Sequence, residues 1–162
     1  MNLLHLKEEL SRIAALKPHL DGLVGSHKDI IILGNGGSNS IAAHLAEDYT
    51  KCLNKKALSF SDGARLTCYI NDYGFENSYK EFIQHFYTKN TLVILISSSG
   101  ESPNITTAGE FCAAKNIPFI VLSGFKESNA LNRLPAVLKY HVASMDYGVI
   151  ENSHQVFLHS IL

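Results

Sequence analysis

The sequence predicts an α/β fold in which about five parallel strands form a sheet with helices on both faces. Unbroken apolar runs, typical of strands buried on both sides, alternate with helical patterns along the chain. Two of these runs end in loops of small residues that open a helix, at residues 34–38 and 97–102. Because such strands and helices join through right-handed crossovers, we expect a three-layer α-β-α sandwich with a five-stranded parallel sheet and an N-terminal helix.

The first helix and the first strand have the clearest patterns. Leucine and isoleucine recur at steps of three and four residues between Leu3 and Leu23, which predicts an amphipathic helix over residues 1–24 that Gly25 ends. Three isoleucines and a leucine at 30–33 then predict a buried strand. We expect this strand to open an α/β core of residues 28–162, so that the chain forms one domain, residues 1–162.

The later elements follow the same two patterns, and the apolar run at 91–96 is the strongest strand signal in the chain. Pro103 suits the first turn of a helix, with Ser102 as its N-cap. A polar, turn-rich break is expected at residues 71–75. The remaining predictions are helix 39–49, strand 55–60, helices 63–70 and 79–86, helix 105–115, strand 118–122, short helix 129–134, edge strand 137–142 and helix 148–162.

Composition narrows the class of protein. Hydrophobic residues make up 46% of the 162 positions and charged residues 18%, which is typical of a globular α/β domain. A net charge of −1 gives no basic surplus for nucleic acid. Three cysteines without C-x-x-C spacing fit a reducing compartment, and no apolar run reaches the roughly 20 residues of a membrane span. We therefore expect a cytoplasmic protein with neither a nucleic-acid nor a membrane partner.

The two small-residue loops are candidates for a shared anion site. In an open sheet, loops that follow neighbouring β-strands bind ligands at the carboxyl edge, where new helices present free N–H groups. The glycines let the backbone approach a ligand closely. The candidate ligand-binding residues are Gly36, Gly37, Ser38, Ser97, Ser98, Ser99 and Ser102.

Neutral donors in these loops favour a sugar phosphate over a nucleoside triphosphate. Neither loop contains lysine or arginine, and the G-x-G-x-x-G and G-K-[ST] patterns of nucleotide loops are absent. A triphosphate site usually needs a lysine and Mg²⁺. The alternative is that both loops are tight turns without a ligand and that Ser102 only caps its helix.

Three motifs together carry a family resemblance. They are Gly34-Asn35-Gly36-Gly37-Ser38 followed by His44, Asn71-Asp72-Tyr73-Gly74-Phe75, and Ser97-Ser98-Ser99-Gly100-Glu101-Ser102-Pro103-Asn104. In this order they resemble a sugar isomerase (SIS) domain, and the chain is similar to phosphoheptose isomerases. The resemblance implies a flavodoxin-like SIS fold and a homotetramer. It implies conversion of sedoheptulose 7-phosphate to D-glycero-D-manno-heptose 7-phosphate, assisted by Zn²⁺, for bacterial surface polysaccharides such as lipopolysaccharide.

The resemblance also implies roles for individual residues. Ser38, Ser97, Ser99 and Ser102 would hold the phosphate, and Asp72 would lie near the sugar. His44 matches the metal-binding histidine of the family and His159 its catalytic histidine. Two positions depart from the pattern, because Asp48 stands where the family has a glutamate base and Glu151 where it usually has glutamine.

Helical spacing is consistent with these assignments. His44 and Asp48 are four residues apart and share one helix face, as do Glu151, Gln155 and His159 on the last helix. Two imidazoles and two carboxylates can form a zinc site, with metal ligands His44, Asp48, Glu151 and His159. The two helices must then pack side by side, within one subunit or across a subunit boundary. Our hypothesis is that Asp48 or Glu151 is the base and His159 the acid.

Two alternatives to an aldose–ketose isomerase stay open. Non-catalytic SIS relatives bind the bacterial replication initiator, and SIS sensor domains only bind a sugar phosphate. Retention of His44, Asp48, Glu151 and His159 favours the enzyme. Among the other candidates, His154 is expected to support Glu151 or to lie at an interface, and Tyr147 to be a packing residue.

Overall fold

The computed structural model describes the whole chain, Met1–Leu162, as alternating strands and helices. In chain order the elements are α1 (Leu3–Ser26), β1 (Asp29–Gly34), α2 (Gly37–Leu53), β2 (Lys56–Ser59), α3 (Gly63–Tyr73), α4 (Phe75–Phe86), β3 (Thr91–Ser97), α5 (Pro103–Lys115), β4 (Phe119–Gly124), α6 (Ala130–Arg133), β5 (Leu138–Val142) and α7 (Tyr147–His159). This arrangement confirms the predicted α/β class with five strands and an N-terminal helix.

One parallel sheet organises the molecule, with strand order β2-β1-β3-β4-β5. The order reverses between β1 and β3, which are hydrogen-bonded neighbours from the pair Asp29 and Thr91 to the pair Gly34 and Ile96. Ligands in open α/β sheets bind outside the carboxyl ends of the strands at such a reversal. The β1–α2 and β3–α5 loops therefore leave the sheet side by side.

Two apolar cores, one on each face of the sheet, explain why the central strands read as unbroken apolar runs. On one face α1, α2 and α7 cover side chains such as Ile30, Ile94 and Leu122. On the other face α4, α5 and α6 cover the alternate side chains of the same strands, including Ile31, Leu95 and Val121. Every residue of β3 is buried, since both of its faces are covered by helices.

The structure corrects several boundaries that the sequence predicts: α2 ends at Leu53 instead of 49, α4 begins at Phe75 instead of 79, and α7 ends at His159 instead of 162. Helix α1 continues through Pro18 and ends at Ser26, beyond the predicted end at Gly25. The expected break at residues 71–75 is confined to Gly74, because α3 continues to Tyr73 and α4 begins at Phe75. Gly74 alone supplies the left-handed backbone angle, with φ of +77°, so no longer turn is needed.

A buried carboxylate fixes α1 against the edge of the sheet. Glu9 is buried on α1, accepts hydrogen bonds from Arg12 Nη1 at 2.8 and 3.0 Å, and accepts a third from the Tyr140 hydroxyl at 2.8 Å. A buried charge needs such partners to be tolerated.

No helix of the chain is both long enough and apolar enough to span a bilayer.

Candidate active site

Two asparagines join the loops that follow β1 and β3. Asn35 Nδ2 donates to Asn104 Oδ1 at 2.9 Å, and Asn104 Nδ2 donates back to Asn35 Oδ1 at 2.9 Å. The Tyr79 hydroxyl donates to Gly34 O at 2.6 Å, and its oxygen also lies 3.1 Å from Asn35 Oδ1. Buried amides of this kind gain stability only when their donors and acceptors are paired. The reciprocal pair therefore sets the spacing of the two loops.

Several donors in the β3–α5 loop have no partner within the chain. The backbone N–H groups of Ser98, Ser99 and Ser102 make no backbone hydrogen bond. The Ser98 hydroxyl is buried and also lacks a partner. Since an unpaired buried polar group costs free energy, these donors indicate a place for a ligand that accepts hydrogen bonds.

The helices that start from these loops also begin without side-chain caps. Gly36 precedes α2 with φ of +54° and offers no capping group. Ser102 occupies the predicted N-cap position of α5, but its side chain makes no capping bond; its oxygen instead accepts from Ser97 Oγ at 3.3 Å. By contrast, Asn2 caps α1 and Asp146 caps α7. Uncapped N-terminal ends attract anions through their free N–H groups and the helix dipole.

A cavity of about 270 Å³ lies between the two loops and the start of α7. The β1–α2 and β3–α5 loops contribute most of its wall, and α7 contributes the remainder. No lysine or arginine lines it. Its lining residues are Asn35, Gly36, Gly37, Ser38, Ile96, Ser97, Ser98, Ser99, Ser102, Tyr147 and Glu151.

A second cavity of about 260 Å³ continues from the first toward His44. The two cavities share Gly37 and Glu151, which approach so closely that a Cβ on Gly37 would lie 2.6 Å from Glu151 Oε1. Glycine at position 37 therefore leaves room for this carboxylate. Gln155 also lines the second cavity, one helical turn beyond Glu151 on α7.

Three of the predicted catalytic and metal-binding side chains meet within one chain. His44 Nε2 lies 3.2 Å from His159 Nε2 and 3.2 Å from Asp48 Oδ2, and His159 Nε2 lies 3.5 Å from the same carboxylate oxygen. One of the two facing imidazole nitrogens must carry a proton when no ion lies between them. We refer to His44, Asp48 and His159 as the triad.

A buried hydrogen bond beside the triad holds the two helices together. The Tyr49 hydroxyl, on α2, donates to the carbonyl oxygen of Leu158, on α7, at 2.9 Å. Tyr49 follows Asp48 in sequence and Leu158 precedes His159, so this bond fixes the neighbours of two triad residues. Burial raises the pKa of Tyr49 above its usual range, and the phenol remains a donor.

The donor set of the triad fits a zinc ion. All three residues offer ligand atoms that lie within 4.8 Å of one another. A point equidistant from the three atoms lies about 1.9 Å from each in their plane, close to zinc distances of about 2.0–2.2 Å. Three protein ligands with an open side are typical of catalytic zinc sites. The carboxylate of Glu151, also predicted as a ligand, is not part of this cluster; it lies beside Gly37 at the junction of the cavities.

Asp72 lies outside both cavities of this chain. It is exposed on α3, where it accepts hydrogen bonds from Asn71 Nδ2 at 2.9 Å and from the Cys68 thiol at 3.5 Å. The bond to Asp72 raises the pKa of the Cys68 thiol. The predicted contact of Asp72 with the sugar thus has no counterpart within the chain, whereas all seven loop residues predicted to bind ligand line the first cavity.

Some functional features were missed or misinterpreted at the level of sequence. Tyr147, predicted to be a packing residue, packs against the Phe125 ring, but it is also 57% exposed and lines the cavity. His154 is fully buried, and its Nε2 lies 3.1 Å from Ser123 O. Burial lowers the pKa of His154 to about 4, so this imidazole is neutral and structural. One signal in the sequence indicates this: His154 lies one residue before Gln155, and is therefore off the helix face that carries Glu151 and His159.

Comparison with known proteins agrees with this architecture. No protein-family model matches the chain. A phosphoheptose isomerase of Fusobacterium nucleatum is 29% identical over 161 residues, covering 96% of this chain and 82% of that protein. A phosphoheptose isomerase of Buchnera aphidicola is 32% identical over 128 residues, covering 76% of this chain and 66% of that protein. The structure of phosphoheptose isomerase from Neisseria gonorrhoeae has a TM-score of 0.87 at 23% identity, covering 98% of this chain and 89% of that one.

Proposed function

The chain is a sugar isomerase (SIS) domain related to the phosphoheptose isomerases, and from that premise we propose that it converts sedoheptulose 7-phosphate to D-glycero-D-manno-heptose 7-phosphate. The observation that carries this proposal is the junction of a neutral anion cavity with the His44–Asp48–His159 triad in one chain. The product would serve heptose synthesis for bacterial surface polysaccharides such as lipopolysaccharide.

The phosphate of the substrate binds in the first cavity. Its oxygens accept hydrogen bonds from the free N–H groups of the β3–α5 loop and from the buried Ser98 hydroxyl. The uncapped starts of α2 and α5 add the favourable ends of two helix dipoles. Binding at this end positions the sugar, which extends past Gly37 and Glu151 toward the triad.

The triad residues would hold a zinc ion as a three-ligand site with one side open to substrate. When bound, the metal supplies Lewis-acid stabilisation of the negative charge that develops on the sugar oxygens. The exposure of His44, at 50% of its side chain, leaves this side accessible from the second cavity. We further propose that the metal is zinc and that the protein assembles as a homotetramer.

Proton transfer between adjacent sugar carbons needs a base and an acid within reach of the open end of the substrate. His159 is the proposed acid that serves the sugar oxygens. Since its Nδ1 lies 3.0 Å from Gln155 O, the proton would leave from Nε2, so this role and metal ligation through Nε2 are alternative states of one side chain. The proposed base is one of two carboxylates, Asp48 within the triad or Glu151 beside Gly37. The Glu151 carboxylate lies at the junction of the cavities, where the middle of a bound phosphosugar would pass.

Paired isosteric variants identify the base. Asp48→Asn and Glu151→Gln each remove one carboxylate charge with little change of shape. The variant of the base should lose about 10²–10⁴-fold in kcat, the range expected for removing a general base. Metal content must be measured alongside, because Asp48→Asn also changes a predicted ligand.

The defining experiment is an isomerase assay with sedoheptulose 7-phosphate, with and without added Zn²⁺. We expect product from the metal-replete protein and none above background from His159→Ala. His19→Ala, which changes an exposed histidine of α1, is the matched control and should retain full activity. If metal-replete wild-type protein forms no more product than His159→Ala, the proposed reaction is wrong.

A further inference from the structure

Helix α7 contributes two side chains to the phosphate cavity, and they differ in what they can offer. Glu151 is a carboxylate, which when ionised can only accept hydrogen bonds. Tyr147 has a phenol hydroxyl, which donates. This hydroxyl makes no hydrogen bond within the chain, and the side chain is among the most exposed aromatics, at 57%. Tyr147 is therefore the single side-chain donor on the α7 wall of the cavity.

The position of Tyr147 is fixed from two sides. Asp146 caps α7 by accepting from Gly148 N at 2.8 Å, which sets the first turn of the helix. The ring of Phe125 packs edge-on against Tyr147, with centroids 4.9 Å apart and an interplanar angle of 79°. Phe125 is itself half-buried against the core that includes Ile150, so the pair is anchored to the interior.

The backbone at Phe125 supports a functional reason for this pairing. Phe125 has φ of +55°, a left-handed conformation that is a genuine outlier for a bulky residue. Its N–H donates to Ser144 O at 3.0 Å, which holds the strained turn in place. Strained backbone at a cavity edge persists where the surrounding structure determines it and is found disproportionately at ligand sites.

From these observations we infer that Tyr147 is a phosphate-binding residue, whose hydroxyl donates a hydrogen bond to a substrate phosphate oxygen from the α7 side of the cavity. This inference rests on the proposed function for the identity of the substrate, but not for the presence of a phosphate group. A cavity without lysine or arginine depends on each neutral donor. A donor beside Glu151 also offsets the repulsion between that carboxylate and the phosphate.

The test separates the hydroxyl from the ring. Tyr147→Phe removes only the oxygen and keeps the packing against Phe125, whereas Tyr147→Ala removes both. Isothermal titration calorimetry measures the Kd of inorganic phosphate and of sedoheptulose 7-phosphate for each variant. Tyr87→Phe, an exposed tyrosine that follows α4 and lies outside both cavities, is the matched control.

We expect Tyr147→Phe to raise both Kd values by about tenfold, as for loss of one charge-assisted hydrogen bond. In the isomerase assay it should raise KM by a similar factor while kcat changes by less than about twofold, because the contact is made equally in the ground state and the transition state. Tyr87→Phe should match wild type in every measurement.

The outcomes distinguish this inference from the proposed function. If Tyr147→Phe binds both ligands as wild type does, the inference is wrong, even when the isomerase is active; a loss only in Tyr147→Ala would assign the residue to packing and overturn it equally. Wild-type protein that binds neither ligand also overturns it. If wild type binds phosphate through Tyr147 but forms no heptose product, the proposed reaction fails and the inference stands.

Discussion

The two faces of α7 carry similar kinds of side chain, but those on one face are accessible and those on the other are buried. On the cavity face, Tyr147, Glu151 and His159 follow one another at multiples of four residues and remain accessible. On the buried face, Ile150 and His154 are fully buried; Ile150 belongs to the core on the α1 side of the sheet, and His154 contacts Ser123 of β4 and Tyr140 of β5. His154 and His159 are five residues apart on one helix, yet only His159 meets another imidazole.

This contrast shows that position on the helix, and not residue type, decides the chemistry available to each side chain. Burial keeps the His154 imidazole neutral, and its Nε2 lies within hydrogen-bonding distance of the Ser123 carbonyl oxygen. Exposure leaves His159 free to face His44 and Asp48. Substitutions on the cavity face should therefore alter activity with little change of stability, and those on the buried face should do the reverse.

The largest effect is expected from His159→Ala. Loss of a general acid that also belongs to the triad should lower kcat/KM by about 10³-fold, or about 4 kcal/mol of transition-state stabilisation. Because this side chain is 33% exposed, the free energy of unfolding should change by less than about 0.5 kcal/mol. Steady-state kinetics measure the loss of kcat/KM, and urea denaturation measures the change in the free energy of unfolding. Unfolding at lower urea with unchanged activity would contradict the division of faces.

The next effect is a pH dependence of stability that belongs to His154. Its pKa is lowered to about 4 in the folded chain, whereas an unfolded histidine titrates near 6.5. Between these values the unfolded state binds more protons, so stability is full above about pH 6.5 and falls as the pH decreases toward 4. Titration of His154 should lower the free energy of unfolding by about 2 kcal/mol between pH 7 and pH 4.5.

His154→Gln tests this assignment, since glutamine can still donate toward Ser123 O but does not titrate. The difference in unfolding free energy between wild type and the variant should shift by about 2 kcal/mol in favour of the variant on going from pH 7 to pH 4.5. Carboxylates that titrate in the same range cancel in this difference. A difference that is constant with pH would remove His154 as the source.

A third prediction concerns the packing of the buried face against β4. A Cβ on Gly124 would lie 2.7 Å from Ile150 Cδ1 and 2.9 Å from two further atoms of that buried side chain. Gly124→Ala should therefore destabilise the fold by about 1–3 kcal/mol through overpacking. Adding Ile150→Ala should cost less than the sum of the single changes, because it relieves the same clash. Full additivity would show that the two positions are independent.

The smallest effect on stability is expected at the matching position on the cavity face. A Cβ on Gly37 would meet the end of a flexible, accessible side chain, Glu151. Gly37→Ala should change the unfolding free energy by less than about 0.5 kcal/mol, since this carboxylate can move into solvent. It should still raise KM for the phosphosugar severalfold, because the new methyl group and the displaced carboxylate narrow the junction of the cavities. Kinetics and denaturation of both glycine variants complete the comparison.

Much of this organisation could be predicted from local sequence. Apolar runs and the helices between them predict the α/β class, and small residues after two buried strands predict the anion loops. These features depend on neighbours in the chain. The spacing of His44 and Asp48, and of Glu151 and His159, likewise predicts shared helix faces.

The remainder depends on contacts between distant segments. Asn35 and Asn104 are separated by 69 positions, and no local pattern pairs their amides. How far α7 is rotated against the sheet decides that His159 joins the triad while Glu151 stays beside Gly37. The same rotation brings Tyr147 to the cavity, although its sequence context is equally compatible with packing.

The reciprocal amide pair between Asn35 and Asn104 has a consequence for how a ligand enters. Because each amide satisfies the other without help from a ligand, the separation of the two loops is set by the chain itself. Little chain entropy is then lost on association, and the rate of capture should depend on diffusion into the cleft rather than on loop rearrangement.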